Sequence, residues 1–409
     1  MNRQLVLTSL DPPAPNENPK KGVVALQPAS GISLIRLSQR NALDNGASNW
    51  GGFDVFSVIT TCYKIIRHHT QTMNTRITRL AHNTATLGSA AAAAILALTL
   101  TACSDSSNST ATAATTGSQP LLTGCSDSDS CASNPPLEIG GDRLATVHIP
   151  SDYDSNSRYP LLIVLHGFGA TGAIESLYLG FTQRVDAEQY VLITPDGTLN
   201  ANGERFWNAT PACCAFDDTE RSIDDVAYIR SLIEEAASIY SIDTSRVALY
   251  GHSNGGFMAL RLACEASDIV TTVISLAGST WESSESCKPA SYPVSVMILH
   301  GTSDETIPYG GEPGRYPGAP ETSERFAALA GCESRAPELL PDVDIDGAVP
   351  GAETERLLYT GCAQDTEVAL WTINEGPHIP IPWTEDAVAL TTQWLTEHPR
   401  ALSSSAPVD

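Results

Sequence analysis

Basic side chains are scarce in this 409-residue sequence: 23 lysines and arginines stand against 47 aspartates and glutamates, a formal net charge of −24. So acidic a chain excludes nucleic acid and anionic membrane as partners held by surface charge. The deficit lies downstream, because residues 1–102 hold 9 basic and only 4 acidic residues. A long apolar run is also missing. The most apolar stretch, Leu87 to Leu100, falls short of the roughly 20 residues that cross a bilayer. From Ser104 to about Pro136 large apolar residues are almost absent, and Ser, Thr, Ala, Asp and Gly dominate. Such a segment buries too little surface to offset its conformational entropy, which makes residues 103–136 a flexible tether. Neither an internal repeat nor a second domain is visible. Met1 to Thr72 lacks sustained periodicity and any export signal.

The character changes at Met73. Arg76 and Arg79 give a positive start, the alanine- and leucine-rich run follows, and it closes on Leu100-Thr101-Ala102-Cys103. That order predicts a signal peptide over residues 73–102. Its last four residues resemble the lipobox of bacterial lipoproteins, which implies Cys103 as the lipidated first residue of the mature chain. Residues 1–72 then read as an over-extended start. The protein is expected to be exported, as a cell-envelope lipoprotein or secreted, touching membrane only through that lipid. Residues 137–400 remain as one catalytic domain, with residues 401–409 as a tail.

Of the ten cysteines, Cys62 lies upstream and Cys103 takes the lipid, leaving eight. An even number in an exported chain suits disulfides. Cys332 with Cys362, bracketing an acidic loop, and Cys264 with Cys287, flanking one strand, are the expected pairs. Cys213 and Cys214 are left open, to pair with each other or with Cys125 or Cys131.

Through residues 137–400, short apolar runs alternate with helical patterns. Strands are expected at Thr146–Ile149, Tyr159–Leu165, Tyr190–Thr194, Arg246–Tyr250, Thr272–Leu276, Val294–Leu299 and Glu367–Ile373. Helices are expected from Ile223 to about Ile239, with Ser222 and Asp225 spaced as a capping box, from Phe257 to Cys264, and from Glu385 to Leu395. Continuously apolar strands between helices indicate an α/β fold, with a mostly parallel sheet covered on both faces.

Gly251-His252-Ser253-Asn254-Gly255, with Gly256 behind, sits between one of those strands and a helix. Gly-x-Ser-x-Gly in that setting is the sharp turn that lifts a serine above an α/β-hydrolase sheet. A serine nucleophile needs a base, and the base an orienting acid. In that fold the chain order is Ser, acid, His. Asp304, just past a strand end, is the expected acid, with Glu305 its rival. Of the two later histidines, His378 follows the last strand directly and is the expected base, while His398 sits beside Pro399 at a helix end. Two N–H donors must meet the oxyanion. Asn254 and Phe168 are expected to supply them, Phe168 from the loop His166-Gly167-Phe168-Gly169. His166 and His300 are read as support beneath the site.

Leu165-His166-Gly167, Phe206-Trp207-Asn208 with Cys213-Cys214, Asp224-Asp225-Val226, Gly251 to Gly256, His300 to Asp304 and Tyr359 to Cys362 occur in one order. Together they resemble the polyhydroxybutyrate-depolymerase-like esterases, a family that includes feruloyl and acetylxylan esterases, over about Leu137 to Leu395. The resemblance implies an exported serine carboxylic-ester hydrolase working through an acyl-enzyme on an ester or polyester substrate. A polyhydroxyalkanoate comes first, then feruloyl or acetylxylan esters, with a serine peptidase and a non-catalytic surface-binding lipoprotein as the other readings. It also implies that Trp207 lines the substrate cleft, against a plain reading as a core aromatic. Relatives often carry glycines and His-Thr-Trp where this chain has Gly376-Pro377-His378-Ile379. Asp342-x-Asp344-x-Asp346-Gly347 with Glu353 matches a calcium-loop spacing. Flanking helices are missing and Pro350 interrupts it, so an acidic turn is expected, with no metal and no cofactor.

Overall fold

The computed structural model describes residues 122, 124–125, 131–288, 292–333 and 336–400, together with the backbone of two short strands near the start. The expected signal peptide, Cys103, most of the tether and the tail lie outside the described residues. Two compact units emerge, Met1–Ala111 and Thr112–Asp409. In the first, Val23–Leu26 pairs antiparallel with Ser33–Arg36.

The second unit is built on a ten-stranded sheet. In chain order its strands are β1 (Glu138–Ile139), β2 (Ala145–His148), β3 (Tyr159–Leu165), β4 (Val191–Thr194), β5 (Ile242–His252), β6 (Thr272–Leu276), β7 (Ser295–Gly301), β8 (Glu338–Val343), β9 (Thr354–Tyr359) and β10 (Val368–Ile373). Across the sheet they run β8-β9-β10-β7-β6-β5-β3-β4-β2-β1. The six from β10 to β4 are parallel. Antiparallel pairs close both edges. The helices are α1 (Gly172–Tyr178), α2 (Asp225–Ile239), α3 (Asn254–Glu265), α4 (Ala319–Leu329) and α5 (Glu385–Glu397), beside shorter turns.

Side chains alternate across a strand, so a parallel sheet with two covered faces must be apolar at every position. In β3, Leu161, Ile163 and Leu165 enter one core cluster with α2, α3 and α4, through Ile229, Leu232, Phe257, Leu260 and Phe326. Leu162 and Val164 enter the other, with Tyr250, Leu276, Leu299, Ile373 and, from α5, Trp394 and Leu395. The fold is an α/β-hydrolase, with the mostly parallel, doubly covered sheet that the alternation of runs predicts.

Two local expectations are corrected. The N-cap of α2 is Asp224, whose carboxylate accepts from Ala227 N, rather than Ser222. Asp225 is not free for a capping box, because it points inward to Arg143 Nη1 at 2.7 Å and to Asn208 N. Second, Cys332 and Cys362 bracket the β8–β9 hairpin, a sheet extension rather than a loop. At the acidic turn, Asp342 lies within β8, and Glu353 Oε1 accepts from Ile345 N, Asp346 N and Thr354 Oγ1. That carboxylate stitches the hairpin's far end together. Among the described residues no group of three His, Cys, Asp or Glu side chains is arranged to hold a metal.

Four disulfides join Cys125–Cys131, Cys213–Cys214, Cys264–Cys287 and Cys332–Cys362. The adjacent pair closes on itself, and Cys125 takes Cys131. Among the described residues no helix is long and apolar enough to cross a membrane.

Candidate active site

Strand β5 stops at His252 and α3 starts at Asn254, leaving Ser253 alone to reverse the chain at φ 54° and ψ −118°. A left-handed φ on a non-glycine residue is strained and persists only where its surroundings hold it. Glycine neighbours make room. A Cβ on Gly251 would collide with the Gly255 carbonyl, and one on Gly255 with the Leu165 carbonyl. Ser253 N donates to Leu276 O at 2.8 Å, pinning the turn to β6.

The other two strand ends converge on it. Thr302 N, just past β7, donates to Ile373 O at the end of β10, and Ser303 N to Gly376 O. Gly301 has no Cβ where the Gly376 carbonyl passes. This backbone pairing sets Asp304 against His378. His378 Nε2 lies 2.9 Å from Ser253 Oγ, and its Nδ1 lies 2.7 Å from Asp304 Oδ2. Asp304 Oδ1 accepts from Thr306 N and Ile307 N, both at 2.8 Å. His300 Nε2 lies 3.2 Å from Oδ2.

Burial works against charge on Asp304, but hydrogen bonds from His300 and His378 outweigh it and hold the carboxyl far below the usual range. Burial lowers the His378 pKa, Asp304 pulls the other way, and the net direction is down. At neutral pH the arrangement is therefore carboxylate, neutral imidazole, hydroxyl. A carboxylate can only accept, so the imidazole proton sits on Nδ1 and Nε2 is free to take the serine proton.

The loop after β3 faces the serine from the other side. A Cβ on Gly167 would lie 3.4 Å from Ser253 Cβ. Its shape is held by Gly169 N donating to Arg205 O. His166, fully buried, accepts from Gly197 N at Nε2 and contacts Gly167 O at 2.7 Å through Nδ1. Phe168 follows Gly167 in that loop, and Asn254 follows Ser253 at the start of α3.

The structure brings Ser253, Asp304, His378, Asn254 and Phe168 into one place. Glu305 stays exposed outside it. His398 is remote, capping α5 through Trp394 O and meeting Glu367 Oε2 at 2.9 Å. Trp207 is a correction. Its side chain is fully buried, its Nε1 donates to His166 O at 3.0 Å, and Arg143 lies over its ring. The Asn254 side chain clamps its backbone, accepting from Trp207 N at 2.7 Å and donating to Trp207 O at 2.9 Å. Trp207 therefore packs in the floor of the site rather than on an open cleft wall.

Two residues escape a reading of the sequence. Glu175 of α1 and His252 of β5 lie buried beneath the three loops, with Glu175 Oε1 3.1 Å from His252 Nδ1. His252 is the variable position of the Gly-x-Ser-x-Gly motif, and Glu175 carries no motif. At the rim, Phe168 packs edge-on against Phe216 with ring centroids 5.7 Å apart, and Phe216 is 62% exposed.

The phospholipase/carboxylesterase family matches residues 153–312 of the chain. Feruloyl esterase D of Neurospora crassa is 25% identical over 67% of this chain and 91% of its own length. A probable feruloyl esterase C of Aspergillus niger is 28% identical over 51% of this chain and 71% of its own. Among solved structures, an acetyl xylan esterase from Aspergillus awamori is similar with a TM-score of 0.47 and 14% identity, covering 63% of this chain and 97% of that one.

Proposed function

As a carboxylic-ester hydrolase of the α/β-hydrolase fold, similar to the feruloyl esterases, the protein works, we propose, through an acyl-enzyme formed on Ser253. The observation that carries this is the unbroken chain Asp304 Oδ2–His378 Nδ1 and His378 Nε2–Ser253 Oγ, at 2.7 and 2.9 Å.

Ser253 Oγ attacks the ester carbonyl carbon while its proton passes to His378 Nε2. The carbonyl oxygen becomes an oxyanion that takes hydrogen bonds from Phe168 N–H and Asn254 N–H. Collapse breaks the ester C–O bond, and the leaving alcohol takes the proton from Nε2. Water then enters, gives a proton to Nε2, attacks the acyl carbon and frees the acid, returning the proton to Oγ. Asp304 keeps the Nδ1 proton in place and stabilises the imidazolium formed at each half-cycle.

For substrate we put feruloyl and acetyl esters of polysaccharide first. The relatives' names carry these acyl groups, and the Phe168–Phe216 pair offers an aromatic wall beside one proposed oxyanion donor. A polyhydroxyalkanoate polyester, suggested by the sequence motifs, shares the acyl chemistry and is the second substrate. Four disulfides fit an extracellular protein. Export with lipidation at Cys103, ahead of a catalytic domain over residues 137–400, remains a proposal from the sequence. The test is purified protein against methyl ferulate, an aryl acetate, a hydroxybutyrate oligomer and a peptide amide, alongside a fluorophosphonate. Stoichiometric labelling of Ser253 with turnover of the first two is expected. Turnover without labelling at Ser253 would sink the acyl-enzyme.

A further inference from the structure

Beneath the triad lies a second buried ion pair that touches three of the segments forming the site. Glu175 Oε1 is 3.1 Å from His252 Nδ1, and both side chains are almost fully buried, at 4% and 6% exposure. The other carboxylate oxygen, Oε2, accepts from Gly167 N at 3.1 Å, in the loop that carries the Phe168 donor. The other imidazole nitrogen, His252 Nε2, lies 3.0 Å from the main-chain carbonyl of His378. His252 itself is the residue before Ser253. The His378 carbonyl oxygen only accepts, so His252 Nε2 carries a proton, and the Glu175 carboxylate facing Nδ1 favours the doubly protonated imidazolium form. Burial alone favours the neutral form. The facing Glu175 carboxylate outweighs it, raising the His252 pKa, while Glu175 is lowered in turn.

We propose that Glu175 and His252 are positioning residues that fix the oxyanion loop, the nucleophile turn and the His378 loop in one geometry. Each hydrogen bond reaches a different loop, and no other pair of described side chains in the site does this. The inference rests on the acyl-enzyme reading of Ser253. The pair has a second effect: the His252 imidazolium, with its ring centroid 5.2 Å from that of His378, disfavours a second positive charge there. The groups facing the pair are Tyr178 from α1, His166 after β3, Tyr250 within β5, Asp304 after β7 and His378 after β10.

The test compares Glu175→Gln, His252→Gln and the double variant with the parent protein, using Glu367→Gln beside remote His398 as control. On a small aryl acetate each single variant is expected to lose about 10- to 100-fold in kcat with KM changed less than about threefold, the scale of a misplaced reacting group. The pH midpoint of kcat/KM should move up, because His378 gains a proton more readily without the imidazolium beside it. Each single variant leaves an unpaired buried group and should melt at a lower temperature. The double variant, with no buried charge, should regain that stability, but neither the rate nor the midpoint. It also carries the test if a single variant fails to fold. A stable double variant with the parent's kcat and pH midpoint overturns the proposal. Measured in parallel, Ser253→Ala separates the two readings. If it retains turnover, the acyl-enzyme and the pair's role fall together. If it is dead while the double variant turns over normally, the pair alone is overturned.

Discussion

Asp304 Oδ2 lies 2.7 Å from His378 Nδ1 although the two stand 74 positions apart along the chain. The contact exists because β7 and β10 are hydrogen-bonded neighbours whose carboxyl ends release their loops side by side. Of the residues between them, those between α4 and β10 build the β8–β9 hairpin and extend the sheet beyond β10. A hairpin of that size at the sheet edge therefore leaves the two loop bases, after β7 and β10, side by side.

The first prediction concerns the three proposed catalytic groups. Ser253→Ala and His378→Ala should each reduce ester turnover by about 10⁴-fold or more. Combining them should cost no more than either alone, since both serve one proton transfer. Asp304→Asn should also lose most activity, because the imidazole keeps its place but not its tautomer. Circular dichroism should find all three folded. Steady-state kinetics showing His398→Ala as damaging as His378→Ala would remove His378 from its role.

The second concerns pH. The base must be neutral to accept the serine proton, and burial lowers the His378 pKa below the ordinary value of 6.5. The neutral form therefore persists into mildly acidic solution. Log kcat/KM should rise with pH through a single midpoint below 6.5 and then level off. Asp304, held far below its usual range, stays ionised throughout and adds no second limb. A midpoint above 6.5 contradicts the burial argument.

A third separates support from recognition. Trp207→Ala should lower stability by about 3–5 kcal/mol, the cost of deleting a fully buried aromatic. Asn254→Ala should cost about 1–3 kcal/mol, because it strands the Trp207 N–H and carbonyl without partners. Chemical denaturation measures both. A Trp207→Ala protein of unchanged stability with a raised KM would return Trp207 to the cleft wall.

A fourth addresses substrate choice. Phe216→Ala removes the exposed half of the aromatic pair at the rim. It should raise KM for methyl ferulate by about 3- to 10-fold, as expected from losing one aromatic contact. An aryl acetate with its small acyl group should be hardly affected. Equal losses on both esters would take Phe216 out of acyl recognition.

Much of this protein was determined by its sequence alone. The apolar runs Tyr159–Leu165 and Thr272–Leu276 have no polar face, so only a sheet covered on both sides can hold them. Gly251, Gly255 and Gly256 around Ser253 announce a turn that tolerates no side chain. Chain order then selects Asp304 and His378 for the places beside it. Tertiary structure alone decided where a residue points. Asp225 turns inward to Arg143, so the cap of α2 passes to Asp224. Trp207 goes to the floor of the site because His166 O and the Asn254 amide are there to satisfy its N–H groups. Glu175 and His252 are 77 positions apart and carry no shared motif. Their pairing arises because α1 packs beside β3, the sheet neighbour of β5, whose end is His252, and local sequence does not encode the burial of a charge opposite its partner. Hydrophobic period is a local property of the chain, whereas a polar side chain's partner is set by which strand ends the fold brings together.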